Sequence, residues 1–72
     1  QKIVFEIYSL FKFWIESGEM LPIQISAKDY SGLTDNQIEL VIIQLSVKGC
    51  EVDYVIDTRL NGDKRFVLTD LV

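Results

Sequence analysis

Ile25 to Gly49 reads ISAKDYSGLTDNQIELVIIQLSVKG, and the fold depends on how this stretch organises itself. It holds two helix-start signals with a short break between them. Ser26-Ala27-Lys28-Asp29 has capping-box spacing, with Asp in place of the longer Glu or Gln, and predicts a short helix ending at Tyr30 or Ser31. Gly32 offers the left-handed backbone that reverses a chain. Thr34-Asp35-Asn36-Gln37 fits the capping box fully: Gln37 can reach back to the Thr34 amide, and Asp35 suits the positive helix end. The second helix is predicted to run to about Lys48, with Gly49 closing it. A helix, a tight turn and a second helix at this spacing predict a helix-turn-helix.

The longer helix carries two apolar stripes. At about 100° per residue, Ile38, Val41, Ile42 and Leu45 gather on one side, the face expected to pack on the first helix of the chain. Leu40, Ile43 and Val47 gather on the opposite side. Two readings stand: Ile43 or Leu40 tucks under neighbouring elements of the same chain, or the stripe meets a partner.

Upstream, Lys2 to Ser17 reads as an amphipathic helix, with Ile3, Ile7, Leu10, Phe11, Trp14 and Ile15 at spacings of three and four. Val4 and Tyr8 join that broad face, and Lys2, Glu6, Ser9, Lys12 and Glu16 fall opposite. Phe5 and Phe13 break the pattern near the polar side, either as partly exposed rings beside charged stems or as contacts to a second chain. Gly18 is the expected C-terminal cap, and Pro22 keeps the helix from resuming. Ile23-Gln24-Ile25 alternates and predicts a short strand.

Downstream of Gly49 the period becomes two. Val52, Tyr54 and Ile56 alternate with Glu51, Asp53, Val55 and Asp57, and later Phe66 and Leu68 alternate with Arg65, Val67 and Thr69. Two hairpin registers compete. A two-residue Asn61-Gly62 turn sets Asp57 opposite Phe66 and mixes the faces. A three-residue Leu60-Asn61-Gly62 loop sets Ile56 opposite Phe66 and Tyr54 opposite Leu68, pairing Asp57 with Arg65 and Arg59 with Asp63. The second is the expectation.

In the order helix, short strand, helix, helix, two-stranded wing, the chain resembles the winged helix-turn-helix superfamily over essentially its whole length. The capped helices from Ser26 to Lys48 carry the resemblance, together with the wing end Asp63-Lys64-Arg65-Phe66-Val67-Leu68-Thr69. That wing end is similar to the basic hairpin and aromatic-x-Leu-Thr strand of bacterial multiple-antibiotic-resistance-type regulators. The resemblance implies an α+β fold with a three-helix core and a small antiparallel sheet, forming one domain over residues 1–72. Two features depart from those regulators: the apolar outer stripe Leu40, Ile43 and Val47, and the wing acids Glu51, Asp53 and Asp57. Because the chain begins at Gln1 and ends at Val72 in a strand-like run, it is expected to be a fragment of a longer protein.

Composition narrows the chemistry. The chain has 72 residues, 49% of them hydrophobic, with mean hydropathy +0.22. A domain this short hides roughly 60% of the surface its unfolded chain exposes, so the apolar surplus hints at a partner surface. With no His and the single Cys50, no zinc-type ligand set, imidazole base or internal disulfide is available, and a cytoplasmic setting is expected. No phosphate loop is present, Ser and Thr lack a neighbouring base, and Cys50 reads as a small buried hydrophobe. Neither an enzyme nor a cofactor is expected. The most apolar run, Ile3 to Ile15, contains Glu6, Ser9 and Lys12 and is too short and too charged to span a bilayer.

Two functions follow, with different partners. The first expectation is a winged-helix DNA-binding domain of a transcriptional or replication regulator. The start of the long helix would enter the major groove of double-stranded DNA, where Asn36 and Gln37 carry amides that can pair with adenine. Thr34, Lys28 and Lys48 would take phosphates, and Arg59, Lys64 and Arg65 would reach phosphates or the minor groove. The net charge of −4 opposes this, as do eight acids against five bases from Ser26 onward. The second expectation is a protein-interaction module, a homo-oligomer or a domain for another protein, using Phe5, Phe13, Leu40, Ile43 and Val47. The deciding observation is whether the outer face of the Thr34–Lys48 helix is open or covered.

Overall fold

A computed structural model describes the chain except for Gln1, Thr58, Leu60, Asn61 and the side chain of Asp57. The described elements are helix α1 (Lys2–Glu16), strand β1 (Ile23–Ser26), a single 3-10 turn (Lys28–Tyr30), helix α2 (Asp35–Val47), and strands β2 (Cys50–Asp57) and β3 (Asp63–Leu71). The strands form one antiparallel sheet in the order β1-β3-β2. The class is α+β, but the three-helix core expected of a winged helix is absent.

The missing element is the helix expected from Ser26. The sheet takes its backbone instead. Ser26 pairs with Arg65 as the last residue of β1, and the Ala27 amide donates to the Lys64 carbonyl at 2.8 Å, carrying the ladder one step further. The Ser26 hydroxyl does accept a backbone bond, from Lys28 at 3.2 Å, but that closes a local turn two residues on. One 3-10 turn then fits before the next cap. Asp29 lacks the reach of a Glu or Gln that could have completed the box. Gly32 also differs from expectation: it is not among the glycines with positive φ, which are Gly18, Gly49 and Gly62.

The Thr34 signal behaves as written. Gln37 N donates to Thr34 Oγ1 at 3.2 Å, and Thr34 N donates to Gln37 Oε1 at 2.8 Å, so both halves of the capping box are closed. Helix α2 ends through Lys48 into Gly49 at φ +91°, whose amide donates to the Ser46 carbonyl. Helix α1 ends at Gly18, φ +93°, where Gly18 N bonds Ile15 O and Glu19 N bonds Trp14 O, the paired bonds of a Schellman cap.

Two rows cross the sheet under the helices. Ile25, Phe66 and Tyr54 are register neighbours, as are Ile23, Leu68 and Val52. Val4, Ile7 and Phe11 of α1 cover them together with Ile38, Val41 and Leu45 of α2, and Phe11, Phe66, Ile7, Leu45 and Leu68 are fully buried. Helix α2 packs against β2 as well as α1, rather than on α1 alone.

The β2–β3 register is shifted two residues from expectation. Tyr54 faces Phe66, Val55 faces Arg65, Ile56 faces Lys64 and Asp57 faces Asp63, with a bulge between Glu51 and Val52. A two-residue shift preserves side-chain alternation, so Val52 and Tyr54 still point under the helices, but Ile56, expected on the same face, lies exposed beyond the core. The connection therefore runs from residue 58 to residue 62; Leu60 and Asn61 of the expected three-residue loop lie outside the described residues. The expected Asp57–Arg65 pair is lost. The observed register instead brings the Tyr54 ring to 5.1 Å from that of Phe66, an aromatic contact worth about 0.5–1.5 kcal/mol against the about 0.2–1 kcal/mol of a cross-strand charge pair.

Gly49 is predicted to tolerate no side chain. It has positive φ, and a β-carbon there would lie 3.0 Å from the Val72 carbonyl oxygen. Gly49→Ala should lower the unfolding free energy by about 1–2 kcal/mol, while Gly32→Ala, which meets open space without positive φ, should change it by under about 0.5 kcal/mol or raise it. Urea unfolding followed by circular dichroism checks both.

Candidate functional site

The eight residues expected to contact DNA are scattered and largely occupied. Thr34 and Gln37 are engaged in the cap of α2. The Gln37 carbonyl oxygen holds the Thr34 amide, so a bidentate contact to adenine would require opening the box. Asn36 is exposed beside them. Lys48 sits at the other end of α2, its Nζ 5.6 Å from the centroid of Phe5 and 5.3 Å from that of Tyr8, where it ties α2 to α1 through cation–π contacts. Arg65 lies half-buried on the sheet face away from the helices, with Nη1 donating to Gln24 Oε1 at 3.5 Å. Its Nε is buried with no hydrogen-bond partner among the described residues. Arg59 is exposed in the turn between β2 and β3.

Of the basic candidates, Lys28 and Lys64 come to one cleft. They line a cleft of about 190 Å³ with Ser26 and Ser31, and Asp63 enters the same cleft with the opposite charge. The helix-turn-helix that was to carry this set is reduced to one 3-10 turn followed by α2.

The five apolar candidates are all at the surface. Relative exposure is 64% for Phe5, 59% for Phe13, 50% for Leu40, 51% for Ile43 and 83% for Val47. Leu40 and Ile43 therefore do not tuck under the wing or α1. The row they form with Val47 lies opposite the buried row Ile38, Val41 and Leu45 on the same helix, so no side-chain rearrangement within the domain covers both.

On α1 the exposed surface is wider than the sequence pattern suggested. Leu10 and Trp14, expected on the core face, are both exposed, and the Trp14 ring meets Phe13 edge-on at 5.4 Å. Leu10 occupies the margin of the apolar arc, and that position is a signal for its exposure; Trp14 falls between Ile3 and Ile7 on the arc and carries no such signal. Phe5, Leu10 and Phe13, with Tyr30 across from them, line an open groove of about 1020 Å³. The Tyr30 hydroxyl donates to Glu6 Oε2 at 3.3 Å, tying the 3-10 turn to α1, while its ring meets Phe66 edge-on. Burial and the Glu6 carboxylate raise the Tyr30 pKa.

Scans against family models, curated proteins and solved structures each return no match. The site is therefore read from its own geometry.

Cys50 is 1% exposed and packs in the core, and burial pushes its thiol pKa up. Among the described residues, no three of His, Cys, Asp and Glu cluster where they could hold a metal ion, and no helix is long and apolar enough to cross a membrane.

Two predictions follow from this wiring. Thr34→Ala removes the acceptor for the Gln37 amide and should destabilise the fold by about 1 kcal/mol, measured by thermal unfolding. The raised Cys50 and Tyr30 pKa values mean that the folded chain holds these protons more tightly than the unfolded chain does. Stability from this source is fully present below the unfolded thiol pKa of about 8.5 and falls as pH rises through the folded values. Denaturant midpoints measured at neutral pH and at about pH 10 should show the decline, and Cys50→Ala should reduce it.

Proposed function

We propose that this domain is a protein-interaction module that docks a partner on the outer face of α2. The observation that carries this reading is the solvent-facing row Leu40, Ile43 and Val47, set directly opposite the row that fills the core. Fully burying one such side chain stabilises by about 1.5–3 kcal/mol, so covering Leu40 and Ile43, each half-exposed, yields roughly half of that apiece and covering Val47 most of it. The aromatic groove of α1 adds surface of the kind enriched at interfaces, and Lys48, next to Val47, bridges toward it by reaching Phe5. The cytoplasm is the proposed setting, where a lone thiol stays reduced.

Duplex DNA binding has narrower support, namely Lys28 and Lys64 at one cleft. Against it stand the net charge of −4, the capping role of Gln37 and the ring contacts of Lys48. Phosphate neutralisation supplies most non-specific affinity, and this surface offers little of it.

A library of amphipathic helices displayed on phage and selected against the folded chain tests the proposal. Selected helices should lose at least tenfold in affinity for Ile43→Glu, a surface change expected to shift stability by no more than about 0.5 kcal/mol. Helices that bind the variant equally well overturn the reading. So does salt-dependent binding of a short duplex tighter than the roughly 10⁻⁶ M limit of non-specific association.

A further inference from the structure

Strand β2 reads Cys-Glu-Val-Asp-Tyr-Val-Ile-Asp over 8 residues, with no Pro, Gly or Lys to interrupt it. The strand order β1-β3-β2 gives it one neighbour, so its other side is a sheet edge. Every second residue of such an edge turns its N–H and C=O outward, a template for one more strand. The opposite edge is the poorer template, because β1 has only 4 residues and starts next to Pro22. We infer that the β2 edge takes a basic, extended segment of another protein as a fourth, antiparallel strand. This surface is separate from the outer row of α2, and neither reading depends on the other.

Charge selects the occupant. Glu51 and Asp53 are exposed and flank the buried Val52, so both stand on the sheet face away from the helices. Their register partners on β3 are Asp70 and Val67, and neither acid faces a cation across that strand. A strand laid along the free edge meets them from the other side, where Lys or Arg directly opposite each carboxylate forms a favourable cross-strand pair. Farther along, Val55 and Ile56 are both exposed, and alternation puts them on opposite faces. The incoming strand therefore gains apolar contact on either face at that end. Read from the position opposite Ile56 to the one opposite Glu51, the matching segment is apolar, small, apolar, cationic, apolar, cationic.

The same acids disfavour a second copy of β2 on this edge. Directly opposite residues of antiparallel strands share a face, so a twofold pairing of β2 with itself is centred on a residue and not between two. Centred on Val52, it sets Glu51 opposite Asp53; centred on Asp53, it sets that residue opposite itself. Centred on Tyr54, it brings Glu51 to the register position opposite Asp57, and centred on Val55, it does the same for Asp53. Every one of these registers places acid against acid, which destabilises the pair. A basic strand avoids the clash and turns each acid into a contact.

Fluorescence anisotropy of a labelled peptide, Val-Thr-Val-Lys-Val-Lys, titrated with the folded chain up to about 1 mM, tests this at a concentration suited to a small interface. Binding should appear at about 20 mM salt and weaken several-fold at about 200 mM, as screening shortens the reach of the carboxylates. Replacing both lysines of the peptide with Glu should cost at least about fivefold in affinity, and Asp53→Lys in the chain should erase that preference. Methylating alternate backbone nitrogens of the peptide should abolish binding in one phase and spare it in the other, since only one set faces β2. Ile43→Glu, on the outer row of α2, should leave the affinity within about twofold. Absence of binding at low salt overturns the proposal, and so does equal affinity for the Glu peptide. Equal tolerance of both methylation phases would mean a basic peptide held by the acids without joining the sheet, and overturns the strand. Loss of binding in Ile43→Glu would move the peptide to α2, overturning the edge while leaving the α2 surface standing.

Discussion

Phe66 is fully buried on the middle strand, with Ile25 beside it on one edge strand, Tyr54 on the other, and the Tyr30 ring meeting it edge-on from the 3-10 turn. Four segments of the chain are positioned by that one ring. Its pairing with Tyr54 fixes the hairpin register, and the register sets the long connection from residue 58 to residue 62. The same shift leaves Ile56 out on the wing, exposed, and puts Asp57 across from Asp63. The charge pattern of the hairpin is thus a consequence of packing.

What was legible in the sequence was legible because it is local. The Thr34 cap, the α1 periodicity, the switch to a period of two after Gly49, and the helix ends at Gly18 and Gly49 each depend on residues within a few positions of one another. The failures at Ser26 and in the hairpin register involve distant partners. Ser26 carries a plausible cap signal, but Lys64 lies 37 positions away from Ala27 and claims its amide for the ladder. Alternation reveals which strand face is apolar and cannot distinguish registers two residues apart. The DNA-contact set failed for a related reason. The polar groups of Gln37 and Lys48 looked available in sequence, yet the fold uses one as a cap and the other as a bridge to the rings of α1.

The surface divides into two kinds. Away from the helices, the sheet shows Gln24, Asp53, Arg65 and Thr69, with Glu51 near the bulge of β2. On the helix side, the outer arcs of α1 and α2 show Phe5, Leu10, Phe13, Leu40, Ile43 and Val47. One side mixes charged and polar groups; the other carries much apolar area.

Residue choice on α2 argues in the same direction. Ile43 and Val47 are β-branched, and branched side chains lose rotamer freedom in a helix, so each is a weaker helix former than Leu, Glu or Lys. In the buried row this loss is repaid by packing, as for Val41 and Ile38. On an outer face left in water nothing repays it, and a solvated helix gains more from Lys or Glu at those positions. Two branched residues in one exposed row with Leu40 weaken the isolated helix and leave apolar area wet. Both penalties disappear when a partner covers the row.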